Sequence, residues 1–349
     1  MTKTNWQTSL AERGATLENG AVTHYGDAKA ELTATTNGNT LCDLSHLGLL
    51  EISGADATTF LQGQVTNDVK LLAINNAAHW SAYCTPKGRM LALFLAFSHT
   101  NHIHLQFNRT LIEPIMKRLK MYVMRANVEI KDVSNSLIKF GMNGPEAASI
   151  LARGYANIPT NDYALTHVDD CTILKLPAIA GHQRFEIITS ETNAEAVWNT
   201  LKTHCKVVGK PCWDWLEIQA GIPDITPKTQ EQFVPQMLNL DTLNGINFKK
   251  GCYTGQEIVA RTHYLGTVKR RTFLASINIT STNISAPSEG DKLVDDAQAE
   301  VGQIVRTAPN LAGGFDALIE IRIDAQQSGK VFWNSAPIVF KTLPYSFVN

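Results

Sequence analysis

Apolar residues recur along this chain with two different periods, and the switches between them outline its elements. Leu49-Leu-Glu-Ile52 reads as a short strand, and Ser53-Gly-Ala-Asp56 opens a helix that sets Phe60, Leu61 and Val65 on one face. Two apolar segments within 79–97 flank Thr85-Pro86-Lys87-Gly88, where Pro and Gly favour a tight reversal, so a β-hairpin is predicted there. Residues 102–107 alternate with period two, and Leu111, Ile112, Ile115, Met116 and Leu119 then follow at helical spacing. The segments 128–130 and 137–140 predict strands, and Pro145 suits the first turn of a helix running through Ile150. Strands at 171–176 and 184–188 precede helices over about 192–203 and 213–220.

Strand pairs alternating with single helices suit split β-α-β, ferredoxin-like units better than a doubly wound parallel sheet, so the predicted class is α+β. Beyond about Val268 the pattern changes. Short strands at 272–277, 302–306, 317–322 and 336–340 come with no convincing helix, which predicts a small antiparallel barrel or sandwich. The polar stretch 280–288 reads as a surface connection inside that domain, and no internal repeat is present.

Composition narrows the function classes. The 31 Lys+Arg and 32 Asp+Glu leave a formal charge of −1, so the chain as a whole has no bulk attraction to nucleic acid or an anionic membrane. Any basic site must be local. With 349 residues, 44% hydrophobic and 18% charged, the chain is globular, and its length suits two or three domains. The longest apolar run, 90–97, falls well short of the ~20 residues a membrane-spanning helix needs. The N-terminal residues are polar rather than signal-like, so a soluble, cytoplasmic protein is expected. Six cysteines lie scattered without a C-x-x-C and read as reduced thiols, and no metal-ligand spacing occurs, so no bound metal is expected.

The densest chemical signal is Asn247-Phe-Lys-Lys-Gly-Cys-Tyr-Thr-Gly-Gln-Glu257. Gly251 and Gly255 let the backbone turn tightly and approach a ligand, while Lys249 and Lys250 supply cationic donors on one flank. This is a binding loop but not a P-loop, because the lysines precede the glycines. Tyr253 offers an aromatic face, and Gln256 and Glu257 offer polar partners to a heterocycle or to the loop itself. Cys252 has two readings: a thiol drawn toward its nucleophilic thiolate by Lys250, or a small residue filling a tight turn. His263 is the nearest candidate base for it.

Lys269-Arg270-Arg271, with Lys249 and Lys250, offers charge for an anionic tail or RNA phosphates. The blander reading is a solvated strand end, since three adjacent residues cannot face one way on a strand. Lys117, Arg118, Lys120 and Arg125 read as an exposed helix face, and Trp213 and Trp215 as packing residues.

Several motifs occur in order. Asp43-Leu-Ser-His-Leu-Gly48, Ile52-Ser-Gly-Ala-Asp-Ala57 and Phe60-Leu-Gln-Gly-Gln-Val-Thr-Asn-Asp-Val69 resemble the N-terminal signature of the glycine-cleavage T-protein superfamily. Lys250-Gly-Cys-Tyr-Thr-Gly-Gln-Glu257 resembles the hallmark of one branch, the YgfZ folate-binding proteins, and Ala220-Gly-Ile-Pro223, Phe233-Val-Pro-Gln236 and Leu343-Pro-Tyr-Ser346 are similar too. The resemblance implies three domains in a ring around a channel that holds tetrahydrofolate or a derivative. On this chain that means a folate-binding body of two interleaved α+β domains over 1–265 and a C-terminal β-barrel over 266–349. It also implies a part in maintaining iron–sulfur enzymes, or their assembly machinery, and through them tRNA methylthiolation. Carried over, Cys252 becomes the candidate catalytic residue, and Lys250, Tyr253, Glu257 and Gln219 the candidate folate-binding residues.

Two departures bear on activity. The aminomethyltransferases carry an Asp aligned near positions 92–93, where this chain has Ala92 and Leu93, so the resemblance does not extend to glycine cleavage. The superfamily often has Glu where Gln219 stands, and a neutral amide gives up the charge-assisted bond to a pterin. The expected function is therefore a folate-binding accessory protein for iron–sulfur enzymes. The alternatives are a folate-dependent one-carbon (aminomethyl) transferase using Asp43 or Asp68 as its proton-handling group, and a direct tRNA binder resting on the basic clusters.

Overall fold

A computed structural model describes residues 4–279 and 285–348; residues 1–3 of the N-terminal stretch and 280–284 of the polar connection lie outside the described residues. Internal contacts divide the chain into two units. One consists of Met1–Ala55, Leu71–Ala78 and Ala96–Trp213, and the other of Asp56–Lys70, His79–Leu95 and Asp214–Asn349.

The first unit is built on a six-stranded sheet in the order Leu165–Val168, Cys171–Ile179, His182–Ser190, Leu137–Gly144, Thr40–Asp43, Lys206–Val208. Neighbours are antiparallel except the last pair. The helix Glu191–Leu201 buries Ala194, Val197, Trp198 and Leu201, the i, i+3, i+4, i+7 face the sequence predicts. Trp198 packs on Phe140 and Trp6, with ring centroids 5.2 and 5.6 Å away. Elsewhere in this unit Leu47–Ser53 lies between His102–Asn108 and Glu129–Asp132, all antiparallel. The predicted helix after Asp56 is shorter than its apolar spacing suggests. It spans Ala57–Gln62 and stops at Gly63, so Val65 leaves its face and instead forms a β-bridge with Tyr83.

In the second unit six antiparallel strands close into a barrel: Arg270–Ile277, Phe315–Arg322, Glu300–Pro309, Lys292–Asp295, Val331–Trp333 and Ala336–Lys341, which returns to the first. Its core includes Ile277, Ile304, Ile319, Ile321 and Trp333. Two expectations change here. A helix, Ile323–Ser328, follows Arg322; it buries only Ala325, so it carries no apolar period to read. The run Lys269-Arg270-Arg271 is not simply a solvated strand end: Arg271 is buried and forks onto the Asp241 carboxylate at 2.6 and 2.9 Å, while Arg270 pairs with Glu320. Among the described residues no disulfide joins any of the six cysteines and no helix is long and apolar enough to cross a membrane.

Candidate functional site

Lys250 joins two motifs that stand far apart in sequence. Its Nζ donates to the carbonyls of Gln62 at 2.7 Å, Val65 at 2.6 Å and Asn67 at 2.9 Å. An ammonium has three N–H groups, and here each has an acceptor. The same segment is stitched again by Asn67, whose amide donates to the carbonyls of Trp80 and Asn244 at 2.8 and 2.7 Å. The Thr66 hydroxyl donates to the Gly245 carbonyl at 2.6 Å and accepts from the Ala82 N–H at 2.8 Å. The Lys250 ammonium also lies 5.0 Å from the Tyr253 ring centroid. Burial pulls its pKa down to about 8, against which the three carbonyls favour the charged form. Lys250 thus has no N–H left for a ligand. It holds the loop, a role that spacing alone did not suggest.

The predicted hairpin turn meets the same loop. Gly255 has φ +86°, and a Cβ there would stand 2.5 Å from the Thr85 carbonyl oxygen and 3.0 Å from the Gly88 Cα. Only glycine allows this approach. It leads into the helix Gln256–Tyr264, which the sequence hid because only Val259 on it is buried. Between these anchors Cys252 is exposed, with no hydrogen-bond partner among the described residues. Tyr253 is buried, which pushes its phenol pKa up, and Glu257 stands exposed in the first helical turn, where its charge suits the helix N-terminus. His263 stacks on Phe248, with ring centroids 3.8 Å apart and planes 13° from parallel; no bond to the thiol is formed.

Gln219 belongs to a different cluster. At the end of the helix Lys210–Gln219 its Nε2 donates to the Asp316 carboxylate at 2.9 Å, beside the Trp215 indole N–H at 3.1 Å. Asp316 also accepts from Ser276 at 2.6 Å, Asn310 at 3.0 Å and Lys341 at 2.9 Å. Burial opposes its charge, but the bonds from Ser276, Lys341 and Asn310 hold its pKa below the ordinary carboxylate value. Asp316 was missed because it is a single acid in an otherwise ordinary strand pattern. With its NH2 held by Asp316, Gln219 has its Oε1 left as an acceptor, one helical turn from the Trp215 ring. An acceptor beside an indole fits the donor edge of an aminopyrimidine such as a pterin.

The model of the GCVT N-terminal domain family matches residues 17–248. The chain is 32% identical to the tRNA-modifying protein YgfZ of Colwellia psychrerythraea over 79% of its own length and 81% of the relative's. It belongs to the YgfZ family. The YgfZ proteins of Hamiltonella defensa and Yersinia enterocolitica are also 32% identical, over 72% and 76% of this chain and 72% and 78% of theirs. The glycine cleavage system aminomethyltransferase T from Bartonella henselae superposes with a TM-score of 0.73 at 19% identity, covering 97% of this chain and 96% of that one, which shows a shared fold.

In this YgfZ-family chain the candidate acids serve turns. Asp43 is buried and accepts from Trp6 Nε1 at 2.8 Å, Ser45 Oγ at 2.9 Å and Ser45 N at 3.1 Å; burial raises its pKa. Asp68 accepts from the Gln62 amide at 3.0 Å and the Lys70 N–H at 3.1 Å. Positions 92 and 93 are buried and apolar.

His79, at the start of the hairpin, has a pKa lowered to about 4 by burial, with Lys250 adding to the shift and Asp68 opposing it. As pH falls from about 6.5 to about 4 the unfolded chain takes up a proton that the folded state refuses. Stability is therefore lost in that window, by about 3 kcal/mol in full. Urea unfolding across it is expected to show a shallower loss for His79→Gln; parallel curves would reject the assignment.

Proposed function

We propose that this protein is a folate-binding accessory factor that supports iron–sulfur enzymes and, through them, tRNA modification by methylthiolation, with the Cys252 thiol as the group that reacts with or contacts its client. The observation that carries the reading is an exposed thiol presented between fixed points, the Lys250 ammonium on three carbonyls and the Gly255 approach to the hairpin turn. A rigid support with an accessible thiol is what repeated presentation to a partner requires. The curated relatives named tRNA-modifying proteins support the downstream process.

Bound folate would supply a reduced pterin able to carry one-carbon units. Gln219 would accept from its 2-amino group through Oε1, with Asp316 fixing the amide and Trp215 lining the contact. Buried Ala92 and Leu93, which cannot exchange a proton, favour this accessory role over aminomethyl transfer.

The test is complementation of a strain lacking the protein, with methylthiolated tRNA measured by mass spectrometry. Cys252→Ala is expected to cut the modified fraction by about tenfold while its free energy of unfolding stays within about 0.5 kcal/mol of the parent, as for other exposed substitutions. Full restoration by a folded Cys252→Ala protein rejects a required thiol. Calorimetric titration with tetrahydrofolate tests the ligand separately, and Gln219→Leu is expected to weaken it.

A further inference from the structure

The first unit contains a cavity of about 370 Å³, remote in sequence from the cysteine loop, whose lining includes Leu72, Ser98, His99, Asn101, His167 and Asp169. Its two histidines share one hydroxyl. His99 Nδ1 lies 2.6 Å, and His167 Nδ1 2.8 Å, from Thr172 Oγ1, which is fully buried. That arrangement dictates the protonation of both rings. The hydroxyl has one proton, so it cannot donate to two bare nitrogens. If both rings donated to it, its own proton would be buried without an acceptor among the described residues. One ring therefore carries its proton on Nδ1 and leaves Nε2 bare, while the other accepts at Nδ1 and carries its proton on Nε2.

Burial lowers the pKa of His99 to about 4 and that of His167 in the same direction, so both rings are neutral near pH 7. The ring centroids are 5.9 Å apart. The half-buried Ser98 hydroxyl and the exposed Asn101 amide also belong to the lining, and Leu72 adds an apolar wall. Four non-glycine residues of the lining, Asn76, Thr100, Asn101 and Asp169, hold φ between 44° and 63°, a left-handed backbone that is ordinary for Asn and Asp in turns and uncommon for the β-branched Thr100.

We propose that this cavity binds an uncharged heterocycle presenting an N–H donor beside an acceptor, the edge displayed by purine and pyrimidine bases. With opposite tautomers the two rings have one Nε2 acceptor and one Nε2 donor between them, Asn101 and Ser98 add polar groups to the lining, and the Asp169 carboxylate with two neutral imidazoles disfavours a phosphorylated ligand. The volume lies at the small end of ligand sites, of the size a single base or nucleoside occupies.

The test uses the full chain with 15N-labelled histidine, titrated by NMR with uridine, cytidine, adenosine and guanosine as free nucleosides, and with uridine monophosphate for comparison. His99 and His167 are expected to show opposite tautomers before any ligand is added. At least one nucleoside is expected to shift both rings, more tightly than the monophosphate and without competition from saturating tetrahydrofolate. Thr172→Val is expected to weaken that binding by about tenfold, the worth of one bridging hydrogen bond, while Thr172→Ser retains it. Identical tautomers, no nucleoside shifting either ring, competition by tetrahydrofolate, or unchanged binding by Thr172→Val each overturn the proposal. The tautomer measurement and the nucleoside titration, both made on the parent protein, decide the matter even where a variant does not fold.

Discussion

Lys250→Met is expected to lower the free energy of unfolding by about 3–5 kcal/mol, the cost typical of stripping the charged partner from a buried polar set. Met keeps most of the unbranched stem and its packing, so the change isolates the ammonium. The carbonyls of Gln62, Val65 and Asn67 would all lose their donor at once, in a place where Lys250 itself is 8% exposed. Three such acceptors cannot all turn to water without moving the 62–67 segment off the loop. Some of the loss is offset because the buried ammonium is itself costly, as its lowered pKa shows. Denaturant unfolding measures the outcome, and a loss below about 1 kcal/mol would mean that the Asn67 and Thr66 bonds hold the loop without Lys250. Paired with the exposed Cys252, whose replacement should leave stability unchanged, this variant separates the support of the loop from its chemistry.

Gly255→Ala is expected to cost about 2–5 kcal/mol, adding a left-handed backbone penalty to an overpacking penalty. At φ +86° any side chain is strained, and the new methyl would sit 2.5 Å from the Thr85 carbonyl oxygen, a backbone atom that cannot swing aside. The hairpin turn and the start of the helix Gln256–Tyr264 must then separate, which displaces Cys252 as well. Denaturant unfolding and the complementation assay should therefore fall together for this variant, unlike Cys252→Ala. Gly251→Ala is the control: it lacks positive φ, and nothing lies within 4 Å of its added Cβ, so it should be nearly neutral. A Gly255→Ala protein as stable as the parent would show that the turn and the loop do not need their close approach.

Much of the local structure was legible because burial imposes a period. The face of Glu191–Leu201 follows from a helix that buries one side, whereas His102–Asn108 alternates in residue type although both its faces are buried, with His104 and Gln106 inside. Elements that bury little left no such trace, and Gln256–Tyr264 and Ile323–Ser328 were both missed for that reason. The cysteine loop was recognisable from its glycines and lysines. The job of Lys250 was not, since its three acceptors are backbone carbonyls, which every residue possesses and no motif can mark. Asp316 and the Thr172-bridged histidines were hidden for a related reason: each draws its partners from several strands whose order is set only on folding.

By itself the amino-acid order determined the α+β class, the all-β character of the C-terminal region and the family, and it marked the loop around Cys252 as the candidate site. Those properties reside in runs of neighbouring residues, where periodicity and turn chemistry act over a few positions. Tertiary structure alone decided which charges are spent on holding the fold, as at Lys250 and Arg271, and which groups stay free to act, as at Cys252 and the Gln219 oxygen. Whether a donor is already satisfied depends on acceptors that only the folded chain brings within 3 Å.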